Sequence, residues 1–138
     1  MICVIDSNIL ISALIKDSVT RRIIVKSECK FYYPEIAFHE VRKYQNLVLE
    51  KSGMSEEEYA EILNLLLNHI TLVPEEIFLK NINEAKKIIG EVDINDVVFL
   101  ATAMSINNSK IWSDDKDFDK QNKIEILKTK DMIKLFCS

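Results

Sequence analysis

Ile2-Cys3-Val4-Ile5-Asp6-Ser7-Asn8-Ile9-Leu10 opens on a run of apolar residues that ends in an acid and turns at once into a second pattern. A short continuous apolar run is the mark of a strand buried on both faces. Residues 8–16 follow with helical character. Four more short strands read out along the chain: Phe31-Tyr32-Tyr33 stopped by Pro34, Thr71-Leu72-Val73 before Pro74, Ile111-Trp112-Ser113, and Glu125-Ile126-Leu127. Between them the patterning predicts helices over 20–27, 35–51 (ending before Gly53), 56–69, a stretch ending near Gly90, and 93 to about 106. Ser55-Glu56-Glu57-Glu58 carries a capping-box signature for the third of these. A last helix starts near Lys130. Short apolar strands separated by helices imply a parallel sheet covered on both faces. In such sheets ligands sit at the carboxyl ends of the strands, so the residues just after each strand are the place to look.

Composition narrows the function. The 138 residues are predicted to form one domain, 1–138, with 48% hydrophobic and 29% charged residues, the balance of a soluble globular chain. The longest charge-free stretches, 62–74 and 97–109, are shorter than the ~20 residues that a membrane helix needs. The start of the chain lacks the pattern of a signal peptide. Gly53 and Gly90 are the only glycines and lie far apart, which excludes a phosphate-cradling or dinucleotide-binding glycine loop. His39 and His69 cannot form a zinc-protease helix, because Lys43 stands where the second histidine would fall. Cys3, Cys29 and Cys137 are isolated, which argues against a zinc knuckle or disulfide framework and for a cytoplasmic home. A net charge of −4 does not suit a passive nucleic-acid coat.

What remains abundant is carboxylate. Asp6 ends the first strand, where Asp6-Ser7-Asn8 supplies three candidate helix caps although one would suffice. On helix 35–51, at ~100° per residue, Glu40 projects into an apolar arc of Ile36, Ala37, Val41, Tyr44, Leu47 and Val48. A carboxylate rarely enters such a face unless it is paired or binds a cation. Asp93 and Asp96 stand at a helix mouth, either as a cap with an acidic third residue or as an acid held against the sheet. Ser113-Asp114-Asp115-Lys116-Asp117-Phe118-Asp119 follows the fourth strand. It is not a calcium EF-hand loop, since Lys120 replaces the required glycine and Ile126 the terminal glutamate. The strand-end rule favours Asp114 or Asp115 as the inward acid. Two carboxylates ~4 Å apart repel by about 4 kcal/mol at an effective dielectric near 20, so gathering four makes sense around hard divalent cations.

Val4-Ile5-Asp6-Ser7-Asn8-Ile9-Leu10, then Glu40, then Asp96-Val97-Val98-Phe99-Leu100-Ala101-Thr102-Ala103, then Trp112-Ser113-Asp114-Asp115-Lys116-Asp117-Phe118, resembles a PIN domain in order and spacing over nearly the whole chain. The resemblance implies a three-layer α/β/α fold with a central, mainly parallel sheet. It also implies an endoribonuclease that uses Mg²⁺ or Mn²⁺ to activate water, as in the toxins of VapBC-type toxin–antitoxin pairs. Carried over, Asp6, Glu40, Asp96 and Asp115 would be the catalytic, metal-binding quartet. Asp115 is preferred to Asp114 because it aligns with the first acid of the Asp-x-Asp-Phe ending. Ser7, Asn8, Asp93, Ser113, Asp114 and Asp117 would be accessory. RNA would be the substrate, an antitoxin protein a partner, and a homodimer the assembly.

Arg21, Arg22, Arg42, Lys43, Lys110 and Lys116 are candidates to meet phosphates, against a reading as solvated surface charge. Tyr32 and Trp112 would either stack on a base or lie buried in their strands. A haloacid-dehalogenase-type phosphatase is excluded because Asn8 stands where its second aspartate would be. A receiver domain is excluded because Pro74 follows the third strand where an aspartate is needed. The remaining alternative is a PIN-like module that binds RNA or protein without cutting.

Overall fold

A computed structural model describes residues 1–15, 19–90 and 93–136. β1 (Ile2–Ile5) is central, and its Cys3, Val4 and Ile5 are wholly buried, as a strand covered on both sides must be. It pairs in parallel with β2 (Lys30–Pro34) on one side and with β4 (Ser109–Trp112) on the other. β3 (Ile70–Val73) extends the sheet beyond β2, and the short β5 (Ile126–Leu127) extends it beyond β4. The order is β3-β2-β1-β4-β5, all parallel. The chain winds outward from β1 to β3, then returns past β1 to build β4 and β5. The topological switch therefore lies between β1 and β4.

Helices cover both faces. On one side α1 (Ser7–Leu14) packs against α2 (Val19–Lys26), α3 (Phe38–Lys43) and α5 (Glu56–Leu67), and α2 also meets α9 (Thr129–Phe136). On the other side α8 (Ile94–Met104) lies across β1, β2 and β4, flanked by α6 (Glu75–Phe78) and α7 (Ile82–Ile89). This is a three-layer α/β/α fold. α8 is buried over eight consecutive residues from Asp96 to Ala103, which accounts for the charge-free stretch that begins at Val97. Among the described residues no helix is long and apolar enough to cross a membrane.

Local signals in the chain explain most element boundaries. Ser55 and Glu58 form the expected reciprocal capping box, with Glu58 N–H donating to Ser55 Oγ at 3.1 Å and Ser55 N–H to Glu58 Oε1 at 3.3 Å. Gly53 ends α4 (Gln45–Ser52) in the left-handed region at φ 70°, a conformation that favours glycine. The expected first helix stops at Leu14, and its predicted end at Lys16, like Cys137, lies outside the described residues.

The helix predicted over 35–51 is instead three pieces: a 3-10 turn at Glu35–Ala37, then α3, then α4. The break falls at Tyr44, whose φ of −96° and ψ of 4° leave the helical region. Ala37, Val41 and Val48 face the core, whereas Ile36, Tyr44 and Leu47 are exposed. The apolar arc is thus narrower than the periodicity implies. A one-residue break keeps Val41 and Val48 on the buried side, so hydrophobic spacing does not reveal it.

Leu100 is completely buried at the middle of α8. Leu100→Ala should lower stability by about 2–5 kcal/mol, read as a lower urea midpoint at unchanged slope. A loss below about 1 kcal/mol would mean that this layer is not close-packed around α8.

Candidate metal centre

Ile5 and Trp112 are partners in the β1–β4 ladder, so the next residues, Asp6 and Ser113, emerge side by side at the switch point. Ser113 Oγ donates to Asp6 Oδ2. The other carboxylate oxygen, Oδ1, accepts the Ile9 N–H at 2.9 Å and caps α1. Asp6 therefore caps a helix while also facing the mouth of the sheet. Ser113 Oγ in turn accepts the Asp115 N–H at 3.0 Å, which ties the loop after β4 to the acid after β1.

Asp115 caps the following 3-10 turn (Lys116–Lys120) by accepting the Asp117 N–H at 2.9 Å. This tight turn brings Asp115 and Asp117 to α8. One carboxylate oxygen from each of Asp96, Asp115 and Asp117 lies within 4.8 Å of the others. Asp117, expected only as an accessory, completes this group. Lys120 Nζ sits 3.7 Å from Asp117 at an exposed position, a weak and screened pairing.

The other expected residues sit around this group. Asp93 caps α8 by accepting the Asn95 N–H at 2.9 Å, which leaves Asp96 free to face the aspartates across the crevice. Asp114 uses both oxygens on Thr129, accepting the backbone N–H at 2.8 Å and the hydroxyl at 2.6 Å. Of the doublet, Asp115 is the acid that faces Asp96. Glu40, half-buried on α3, accepts a hydrogen bond from Ser7 Oγ at 2.8 Å. Glu40 and Asp6 are not members of the three-oxygen group. Asn8 is exposed.

Tyr33 adjoins the site and was not among the expected residues. It read only as part of an aromatic strand, yet its hydroxyl stands 2.6 Å from Ser7 Oγ and donates to the Ala37 carbonyl at 2.9 Å. A buried tyrosine needs a partner for its O–H, and that need was the available signal.

Most of the candidate phosphate-binding cations have other roles. Lys110 pairs with Glu125 at 2.6 Å, and Arg21 hydrogen-bonds the Ala13 and Ile15 carbonyls at the end of α1. Arg42 lies over the Phe38 ring and Lys43 over that of Tyr44. Trp112 is fully buried against Phe31, so no base can stack on it.

Electrostatics mark the same place. Burial raises the Asp6 carboxyl from 3.8 to about 6, opposed by its bonds from Ser113 and Ile9 and assisted by the charges of Asp115 and Asp114. Asp96 rises from 3.8 to about 7, first through burial, then through Asp115, Asp93 and a hydrogen bond shared with Asp117. Like-charged carboxyls this close retain a proton because both cannot ionise freely. Three converging carboxylate oxygens are the hard donor set that a divalent cation prefers, so these residues fit one.

Both carboxyls have folded-state values above that of the unfolded chain. From pH 4 to about 6 for Asp6, and to about 7 for Asp96, the folded state holds protons that the unfolded state has released. Stability from these groups is therefore full below pH 4 and falls as pH rises through that window. Metal-free urea melts from pH 5 to 8 should show this decline, and Asp96→Asn should flatten it. An unchanged slope in the variant would remove Asp96 as its source.

No curated protein matches the chain. The sequence profile of the PIN domain, a family whose members are generally nucleases that act on phosphodiester bonds and use divalent metals, matches residues 4–133. With that match over nearly its whole length, and with a parallel sheet that gathers acids at its switch point, the chain belongs to the PIN domain family.

Proposed function

We propose that this chain is an endoribonuclease that hydrolyses RNA phosphodiester bonds with Mg²⁺ or Mn²⁺ held at the acidic cluster. The observation that carries this reading is the convergence of Asp96, Asp115 and Asp117 oxygens within 4.8 Å, beside Asp6 at the carboxyl ends of β1 and β4. When bound there, a divalent cation would lower the pKa of a water and stabilise charge on the phosphate. The chain's own groups prepare the place. Asp96 and Asp117 share a hydrogen bond that the ionised pair would give up, Ser113 orients Asp6, and Ser7 orients Glu40. Asp6, Glu40, Asp96 and Asp115 are the proposed catalytic residues, with Asp117 as a further ligand.

Two narrower points rest on the resemblance to VapBC-type toxins, an antitoxin protein as partner and a homodimer as the assembly, and a cytoplasmic location rests on the isolated cysteines. An upstream reading frame encoding a small DNA-binding protein would favour the toxin assignment.

Internally labelled single-stranded RNA and DNA of one sequence, incubated with Mn²⁺, test the activity. RNA should be cut at internal positions and DNA should not. Asp6→Asn keeps a good helix cap and should reduce the rate roughly a hundredfold or more. Equal cleavage by Asp6→Asn, or by wild type in excess EDTA, would assign the activity to a contaminant.

Metal binding is also measurable without cleavage. A cation bound only to the folded state at 100 times its dissociation constant adds about 2.7 kcal/mol. Mn²⁺ should thus raise the melting temperature by roughly 5–11 °C. Asp96→Asn should melt at or above metal-free wild type and gain much less from Mn²⁺. A variant that melts well below wild type yet keeps the full increment would show Asp96 to be structural only.

A further inference from the structure

Tyr33 joins the elements that carry the acids, although it bears no acid itself. Its ring is wholly buried at the end of β2. The hydroxyl reaches Ser7, which directly follows Asp6, and the Ala37 carbonyl, at the start of the helix that presents Glu40. The ring packs edge-on against Phe38 of α3 at 6.3 Å and at a tilt of 51° against Phe99 of α8 at 5.8 Å. Phe99 lies three residues beyond Asp96. One side chain thus touches all three supports of Asp6, Glu40 and Asp96.

Proton inventory makes the hydroxyl directional. Tyr33 and Ser7 bring one O–H each, while the Ala37 carbonyl and the Glu40 carboxylate only accept. Ser7 donates to Glu40 Oε1 at 2.8 Å. The Tyr33 proton must then serve the Ala37 carbonyl and the facing lone pair of Ser7. A phenol on that lone pair keeps the Ser7 hydroxyl from turning, so its hydrogen stays aimed at Glu40. Burial pushes the phenol well above its ordinary value, so it remains a donor.

We propose that Tyr33 is a positioning residue for the metal centre, acting through Ser7 to hold Glu40 in place for a divalent cation. The proposal rests on the metal-dependent reading above. Groups that orient ligands in this way typically account for about 10–100-fold in metal affinity.

The test is calorimetric titration of Mn²⁺, without RNA, into wild type, Tyr33→Phe, Ser7→Ala and the double variant. Tyr33→Phe keeps the ring and removes only the hydroxyl. It should weaken Mn²⁺ binding roughly 10–100-fold, as should Ser7→Ala. The double variant should bind about as weakly as the weaker single one, because both remove the same link. Melting curves in EDTA report any purely structural loss separately. Tyr33→Phe that melts lower but binds Mn²⁺ like wild type overturns the proposal, as does additivity of the two substitutions. Should Tyr33→Phe fail to fold, wild-type affinity in Ser7→Ala overturns it alone. Wild type that binds no Mn²⁺ overturns the metal-dependent reading and this one with it. Wild type that binds Mn²⁺ but cuts no RNA overturns only the nuclease reading, and the affinities still decide the role of Tyr33.

Discussion

The in-register pairing of Ile5 with Trp112 is the constraint on which the site depends. It sets Asp6 beside Ser113, and Ser113 then holds both the Asp6 carboxylate and the Asp115 backbone. A one-residue slip in a parallel ladder would turn every side chain of the strand to the opposite face. Cys3, Val4 and Ile5 are all completely buried, so such a slip would also disrupt the core. The packing that stabilises the sheet therefore secures the position of the acids as well.

Assembling these acids opposes folding. Two carboxylate charges 4.8 Å apart repel by about 3–4 kcal/mol at an effective dielectric near 20. The N-terminus of α8 offsets little of this, since a helix dipole contributes about 0.3–1 kcal/mol to an acid in its first turn. The balance is visible at Asp96, which lies in that first turn and is nevertheless pushed up to about 7. Burial and like charge outweigh the dipole. Such an arrangement persists because the rest of the fold is strongly over-determined, with α8 buried over eight consecutive residues beneath its acidic mouth.

The same elements carry capping and the candidate chemistry together. Asp6 and Asp115 each cap a short helical element, and each also faces the switch point. Capping and metal binding are thus not alternatives at these positions. Of the other expected acids, Asp93 caps α8 and Asp114 has both oxygens taken up by Thr129, fifteen residues along the chain.

How much of this was legible beforehand follows from the range of the forces involved. The strand-helix alternation, the Ser55–Glu58 cap and the buried character of α8 all arise from neighbours in sequence, and the chain alone determined them. The strand-end acids were legible too, because in a parallel sheet the carboxyl ends share one edge. The break at Tyr44 was not, since a single non-helical residue barely alters hydrophobic phase. Nor was the place of Asp117 in the three-oxygen group, while the residues left Asp114 and Asp115 open and only the resemblance chose between them. Both points depend on where Thr129 and Asp96 lie after folding. Tyr33, read only as a strand aromatic, gains its contacts because β2, α1, α3 and α8 meet around one hydroxyl and one ring. Local pattern specified which residues were available; long-range pairing and packing decided which of them meet.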